Sequence, residues 1–131
     1  MSHLLDVNLL LACGWRVHPD HARANRWLDS VPAFATCPAT QMGFIRVSMS
    51  PGYGASFSDA QQVLRAILLM PNHHFLPDST TADSLPVLNG HRDVSDAHLI
   101  RLAAGKKLKL ATLDQSLCQK VWAKGVAENP V

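Results

Sequence analysis

The stretch HLLDVNLLLACG, residues 3–14, sets two polar side chains inside an apolar run near the start of the chain. Asp6 and Asn8 interrupt leucine and valine residues that are expected to enter a core. An ionised carboxylate in such a place costs several kcal/mol unless a partner offsets its lost hydration. Capping of a helix is one explanation, because Asp is a favoured N-cap residue. That explanation covers Asp6 alone, so the question is whether other acids follow the same pattern.

Length and composition indicate one domain over residues 1–131, large enough for a real core and too short for two. No apolar run approaches the ~20 residues of a membrane span. LLAC at residues 10–13 has no Lys or Arg before it, so a lipoprotein signal is not expected. Cys13, Cys37 and Cys118 are odd in number and far apart, which favours reduced cytoplasmic thiols. The net charge of +2 is too weak by itself to indicate nucleic acid.

Short apolar strands alternate with helical stretches along the whole chain. The predicted strands are 3–6, 33–37, 73–77, 107–112 and a short one within 126–130. The predicted helices are 8–15, 18–30, one opened by Pro38, 59–70 after a Ser58 cap, 94–105 with a Ser95 cap and a Gly105 stop, and 114–125, with a loose helical turn at 80–90. Repeated units of this length predict an α/β fold of three layers, α/β/α, around a parallel sheet of four or five strands.

Three aspartates share one position relative to the predicted sheet. Asp6 ends the first strand, and Asp114 follows the strand LKLAT, with Thr112 two residues before it. Asp96 lies in the first turn of the helix VSDAHLIRLAAG. Ligands bind at the carboxyl ends of the strands in such sheets, so all three acids can reach one edge. Helix capping is therefore a poor explanation of the set.

Convergence of these acids has an electrostatic consequence. Two carboxylates about 4 Å apart repel by roughly 4 kcal/mol at an effective dielectric near 20. Either a proton is shared between them or a cation lies between them. Oxygen ligands favour Mg²⁺ or Mn²⁺, and Mg²⁺ commonly takes substrate phosphate oxygens as further ligands. The chemistry inferred from this pattern is metal-assisted hydrolysis of a phosphodiester.

Four segments make the sequence recognisable: LLDVNLLLA, CPATQMGFIRV, VSDAHLIRLAA and LATLDQSL. In order and spacing they resemble the motifs of PIN-domain proteins, and in particular those of VapC-type toxins from bacterial type II toxin–antitoxin pairs. The likeness runs over nearly the whole chain, and four segments in register form a strong signal. The resemblance implies a metal-dependent endoribonuclease toxin acting on RNA in the bacterial cytoplasm. It also implies inhibition by a cognate antitoxin and, frequently, a homodimer.

The resemblance assigns roles to individual residues. Asp6, Asp96 and Asp114 form the acidic catalytic site and hold Mg²⁺ or Mn²⁺. Asn8 and Thr112 are expected to orient those carboxylates, because metal-binding side chains need such support.

Gln41, also counted in the catalytic site, departs from the family pattern, because many PIN domains have a glutamate at this point. Glutamine keeps the shape and one carbonyl oxygen but removes a charge, and Glu128 in the tail is the only Glu of the chain. Three interpretations stay open: a natural variant in which three aspartates suffice for one metal, an engineered change that disables a toxin, or a naturally weakened nuclease. We favour the first. Asp78, after the third strand, is another source of charge, although a loop Asp is more often a turn residue.

Several further residues have two interpretations. Arg46, five residues beyond Gln41, can bind RNA phosphate or serve as a surface or dimer contact. His98 is conceivable as a general acid, although such a histidine is more often a surface residue, and Asp93 is either a helix cap or an outside candidate for the site. A phosphatase with an aspartyl nucleophile would require Asp where Asn8 stands. The more serious alternative is a catalytically weakened PIN-like domain that binds RNA or a protein partner without efficient cleavage.

Overall fold

Each strand of the protein is short, and each of the first four leads into one or two helices. The computed structural model describes residues 2–131. The elements are β1 (His3–Leu5), α1 (Val7–Gly14), α2 (His21–Ser30), β2 (Phe34–Thr36), α3 (Pro38–Ser48), α4 (Phe57–Leu68), β3 (His73–Phe75), α5 (Val94–Gly105), β4 (Lys109–Ala111), α6 (Gln115–Gln119) and β5 (Ala127–Glu128). Single turns of 3₁₀ helix lie at Ala82–Ser84, His91–Asp93 and Val121–Ala123.

The five strands form one parallel sheet in the order β3-β2-β1-β4-β5. β1 lies at the centre, and Leu4 is paired with Ala35 on one side and Leu110 on the other. The chain moves from β1 to β2 and β3 in one direction, and β4 and β5 lie in the other direction. The carboxyl ends of β1 and β4 therefore flank the point where the order reverses, which is where ligands bind in open α/β sheets.

Helices cover both faces of the sheet, as the three-layer prediction requires. Alternate residues of each strand enter different cores because side chains along a strand alternate between faces. One core includes buried residues of α1 to α4 and three strand residues: Leu5, Phe34 and Ala111. The other includes buried residues of α5 and α6 and three strand residues: Leu4, Ala35 and Leu110.

The helices α1 and α3 approach each other closely because position 43 is glycine. A Cβ atom on Gly43 would lie 2.6 Å from Cγ2 of Val7, the first residue of α1. Phe44, next to Gly43, is fully buried, and Trp15 stacks against its ring. This contact brings α3 beside the turn that follows β1.

The parallel α/β architecture is confirmed, and some predicted element ends were wrong. Ser58 does not cap α4: the helix begins at Phe57, and the Ser56 hydroxyl accepts from the Asp59 N–H at 3.0 Å. Two serines separated by one residue offer the same cap, and the extended backbone of Ser56 decides between them.

The bounds of α5 agree with the predicted 94–105, but its capping residue differs from the prediction. Ser95 lies inside the first turn, because a 3₁₀ turn precedes the helix and places Asp93 at the N-cap. The helix ends at Gly105, as predicted, with Lys106 as its C-cap residue. The left-handed backbone conformation that ends many helices is taken by Lys107, with φ of 59°.

Several of the predicted segments are shorter than expected. α2 begins at His21 because residues 18–20 form a turn in which the His21 N–H donates to the His18 carbonyl. β3 ends at Phe75, before Pro77, which has no N–H for a strand ladder. The predicted turn at 80–90 is helical only at 82–84, and α6 ends at Gln119 because Lys120 is extended.

None of the helices in the described part of the chain combines the length and the apolar composition that a bilayer crossing demands.

Candidate active site

Asp6 directly follows β1, and only 7% of the residue is exposed. Its Oδ1 accepts from the Val7 N–H at 2.8 Å and so caps α1. Its Oδ2 accepts from the Thr112 hydroxyl at 2.8 Å. Burial raises the pKa of Asp6, the two hydrogen bonds oppose the rise, and the charge of Asp114 adds to it. The protein therefore keeps a carboxyl in a place where its anion is unfavourable.

Thr112 connects the turn after β1 to the turn after β4. Besides donating to Asp6, its hydroxyl accepts from the Asn8 side-chain amide at 3.1 Å and from the Asp114 N–H at 3.1 Å. The Asn8 carbonyl oxygen accepts from the Leu113 N–H at 3.0 Å. The contacts expected of Asn8 and Thr112 are therefore present, since both side chains fix the geometry around Asp6.

Asp114 caps α6, so capping applies to two of the three aspartates. Its Oδ1 accepts from the Ser116 N–H at 3.0 Å, the Ser116 hydroxyl at 2.8 Å and the Leu117 N–H at 3.2 Å. The inference that capping explains the acids poorly was wrong for Asp6 and Asp114. All three bonds use the same oxygen, however, and leave Oδ2 of Asp114 outside the cap.

Asp96 is the third residue of α5 and is half-buried. Burial is the largest cause that raises the pKa of Asp96 to about 6, followed by the charges of Asp6, Asp114 and Asp93. Among the described residues 2–131, no hydrogen bond opposes this rise. Of the three aspartates, Asp96 is therefore the one whose carboxylate is least stabilised by hydrogen bonds.

Asp6 and Asp96 line one cavity of about 390 Å³, together with Arg46 and His98. We call this cavity the acidic cleft. Asp114 raises the pKa of both aspartates and so lies within their electrostatic range. Across residues 2–131, no three His, Cys, Asp or Glu side chains lie close enough together to hold a metal ion as they stand. The charges of the three aspartates therefore influence one another, but their side chains do not form a complete set of metal ligands.

The donor groups nevertheless fit a hard divalent cation. All are carboxylate oxygens, which Mg²⁺ and Mn²⁺ prefer. Asp96 has no hydrogen bond that would compete, and a carboxylate oxygen such as those of Asp6 can accept more than one contact. Burial is the largest cause of the raised pKa values of Asp6 and Asp96, and a cation near them would offset the second cause, the repulsion from neighbouring acids.

The PIN domain profile matches residues 3–122 of the chain. The chain belongs to the PIN domain family. Among its curated relatives, ribonuclease VapC38 of Mycobacterium tuberculosis is 42% identical over 118 residues, covering 85% of this chain and 84% of that protein. Ribonuclease VapC39 of the same species is 36% identical over 135 residues, covering 94% of this chain and 96% of that protein.

Two solved structures resemble this PIN domain in fold. Mycobacterium tuberculosis VapC20, described as a sarcin-ricin loop cleaving toxin, superposes with a TM-score of 0.64 at 13% identity, over 89% of this chain and 92% of that one. VapBC2 from Rickettsia felis, bound to a DNA fragment from its promoter, superposes with a TM-score of 0.65 at 15% identity, over 98% of both chains. At such identities the likeness concerns the fold alone.

Gln41 of this PIN domain lies on α3 with its amide turned to the end of β2. Nε2 of Gln41 donates to the hydroxyl of the buried Thr36 at 3.0 Å, and that hydroxyl lies 2.7 Å from Nε2 of His73. Burial lowers the pKa of His73, which favours a neutral ring that accepts the Thr36 proton. Gln41 lines a groove with Met42 and Phe57 and not the acidic cleft.

The remaining candidate residues have defined partners. Arg46 lines the acidic cleft, which agrees with its expected approach to that edge of the sheet. Asp78 does not line the acidic cleft, and its Oδ2 lies 2.5 Å from Nε2 of His98. Asp93 lies 3.8 Å from the Lys120 ammonium group and contributes least to the raised pKa of Asp96.

Sequence reasoning missed two contributions to the acidic cleft. His98 was expected at the surface, yet its ring lines the cleft. Ala82 and Leu85, from the irregular segment between β3 and α5, line it as well. No periodicity marks that segment, so the sequence carries no signal that would place it there.

Proposed function

We propose that this PIN domain, taken as one domain over residues 1–131, is an endoribonuclease toxin of the VapC type that requires Mg²⁺ or Mn²⁺. The observation that carries the proposal is the placement of Asp6 and Asp96 in one cavity at the carboxyl edge of the sheet, within range of Asp114. The names of the relatives at 42% and 36% identity support the same reaction, since both are VapC ribonucleases.

The residues of the site would have two different roles in hydrolysis, holding the ion and orienting a carboxylate. Asp6, Asp96 and the free oxygen of Asp114 would hold the ion, which supplies the charge that activates water and stabilises the phosphate. Thr112 and Asn8 keep the Asp6 carboxylate in one orientation through their hydrogen bonds.

Arg46 lines the acidic cleft and brings to it a positive charge that belongs to the protein and not to a bound metal ion. A guanidinium group can bind a phosphate through two parallel hydrogen bonds, which fixes the orientation of the phosphate. The cleft volume of about 390 Å³ lies in the range of small-molecule pockets. We therefore expect an unpaired nucleotide, and not a duplex, to enter it.

Cleavage of end-labelled single-stranded RNA in the presence of Mn²⁺ tests the proposal. The wild-type protein should cut the RNA, EDTA should abolish the cut, and Asp6→Asn should lose it. Asp59→Asn, which removes an exposed acid from α4, serves as the charge-matched control and should cut normally. Cleavage by Asp6→Asn at the wild-type rate, or cleavage in EDTA, would contradict the proposal.

Control by an antitoxin has a structural basis beside the cleft. A groove lined by Met42, Ile45, Phe57 and Leu64 also includes Arg46, which lines the acidic cleft. Met42 is 67% exposed and Phe57 52%, so the groove offers apolar surface to a partner. We propose that an antitoxin segment covers this groove and blocks the cleft at Arg46. Co-purification with the product of an adjacent gene tests this.

The proposal includes two further properties, which follow from the resemblance to the family. A homodimer is expected, and sedimentation of the purified protein tests it. A cytoplasmic location agrees with Cys13, Cys37 and Cys118, which are all free thiols.

A weakened PIN domain that binds RNA or a protein without cutting is the second candidate. It is favoured by the lack, within residues 2–131, of three His, Cys, Asp or Glu side chains close enough together to hold a metal ion. Gln41, which stands where many PIN domains have a glutamate, contacts Thr36 and does not line the acidic cleft. This candidate predicts Mn²⁺-independent RNA binding with no cleavage product in the assay above.

A further inference from the structure

One side of the acidic cleft is formed by residues outside any strand or α-helix. Ala82 and Leu85 line the cavity with Asp6 and Asp96, and both belong to residues 78–85, which we call the cleft wall. Within the wall only Asp78 and Leu85 are partly buried, and the other side chains are exposed. A segment with so little buried apolar surface needs polar contacts to keep one position.

Two side chains of α5 supply those contacts. Nε2 of His98 lies 2.5 Å from Oδ2 of Asp78. The Arg101 guanidinium group donates to the Thr81 carbonyl and to the Ser84 hydroxyl. His98 and Arg101 are three residues apart, so they lie on the same face of the helix.

Asp78 is also held by hydrogen bonds within its own segment, in addition to its contact with His98. Its Oδ1 accepts from the Thr80 N–H at 3.1 Å and from the Thr80 hydroxyl at 2.8 Å. The pKa of Asp78 is lowered, chiefly by the hydrogen bond with His98, which agrees with a carboxylate fixed as an acceptor. The ring of His98 therefore bridges the wall and the cleft, since it contacts Asp78 and lines the cavity.

We propose that Asp78 and His98 are a positioning pair, which clamps the cleft wall onto α5 and so holds an RNA nucleotide beside the acidic site. The proposal rests on the ribonuclease function proposed above. Neither residue takes part in the bond that breaks. Loss of the clamp should therefore weaken binding of the RNA more than it slows the chemical step.

Hydrogen exchange tests the clamp without any cleavage. In the metal-free protein, Asp78→Ala should speed deuterium uptake over residues 78–85 relative to wild type, and His98→Ala should do the same. The double variant should exchange no faster than the faster single variant, because both remove the same contact. Asp78→Asn, which retains an acceptor for His98, should restore part of the protection. Unchanged uptake over 78–85 in Asp78→Ala would overturn the clamp.

Kinetics with single-stranded RNA and Mn²⁺ test its consequence. Asp78→Ala should raise KM about tenfold, the effect of one lost hydrogen bond to a charged group, and leave kcat nearly unchanged. Removal of a negative charge alone favours RNA binding, so Asp59→Ala, the charge-matched control, should leave KM unchanged or lower it. A lower kcat at unchanged KM would overturn the positioning role.

The two proposals fail in different ways. A wild-type protein that does not cut RNA refutes the ribonuclease and, with it, the kinetic part of this inference. The exchange result still decides whether Asp78 and His98 clamp the wall. Arg101→Met supplies an independent variant, since it breaks the second contact and should also speed exchange over 78–85.

Discussion

Asp96→Asn should make the metal-free protein more stable. The pKa of Asp96 rises from its ordinary value of 3.8 to about 6 because the carboxyl is partly buried and lies near Asp6 and Asp114. A carboxyl with a raised pKa in the folded state destabilises the fold at higher pH. The difference corresponds to ~3 kcal/mol. Solvent screening of a half-exposed group reduces this to ~1.5 kcal/mol.

The position of Asp96 in its helix opposes part of this gain. As the third residue of α5 it is attracted by the helix dipole, and asparagine loses ~0.5 kcal/mol of that attraction. The net gain of ~1 kcal/mol should raise Tm by about 3 to 4 °C for a domain of this size. Asp59 is the third residue of α4 and is exposed, so Asp59→Asn is a matched control. It loses only the dipole attraction, and its Tm should fall by about 1 to 2 °C.

Calorimetry near neutral pH, in EDTA and then in Mn²⁺, measures both effects. An ion at a hundredfold its Kd stabilises the wild type by ~3 kcal/mol, whereas Asp96→Asn should gain little. The order of the two Tm values should therefore invert between EDTA and Mn²⁺. In EDTA, the gain of Asp96→Asn should shrink as the pH falls below about 6 and vanish well below 3.8, where the carboxyl is protonated in both the folded and the unfolded state. A lower Tm than wild type in EDTA would refute the electrostatic reasoning, and equal gains from Mn²⁺ would refute the ligand role.

Two other substitutions test the surroundings of the site. Gln41→Glu places a carboxylate against the Thr36 hydroxyl that Gln41 now contacts. That hydroxyl must then donate to the carboxylate, so His73 must become the donor to Thr36. NMR titration should therefore show a raised pKa of His73. Calorimetry should show no change in Mn²⁺ affinity, and tighter binding would mean that the missing charge matters. Gly43→Ala should lower Tm, because an overpacked contact costs ~1–3 kcal/mol and better helix propensity returns only ~1 kcal/mol. Gly105→Ala meets nothing within 4 Å, and a fall in its Tm equal to that of Gly43→Ala would contradict the packing argument.

The sheet and the placement of two aspartates could be predicted because they depend on local pattern. Short apolar runs alternate with helical periodicity, and this is sufficient to predict parallel strands with helices on both faces. Asp6 follows β1 directly and Asp114 follows β4 after two residues, so the carboxyl edge of the sheet brings them near each other. Their hydrogen bonds through Thr112 follow from the neighbouring positions of β1 and β4.

The rest depends on partners that are distant in the sequence. The direction of the Gln41 amide is set by Thr36 and by His73, which lies on another strand. The role of His98 depends on Asp78, twenty residues earlier in an irregular segment. Residue identities at such distances carry no periodic signal, so neither contact could be predicted from the sequence.

Helix capping and metal binding are not competing explanations of the acids. Asp114 uses only Oδ1 for the cap, so the cap fixes the carboxylate while Oδ2 is left for a ligand. Asp6 is held similarly, by the Val7 N–H at one oxygen and the Thr112 hydroxyl at the other. Hydrogen bonds of this kind stabilise a carboxylate when no ion is bound. Within residues 2–131 Asp96 has no such bond, and its pKa is raised first by burial and then by the charges of neighbouring acids, a repulsion that a cation would offset.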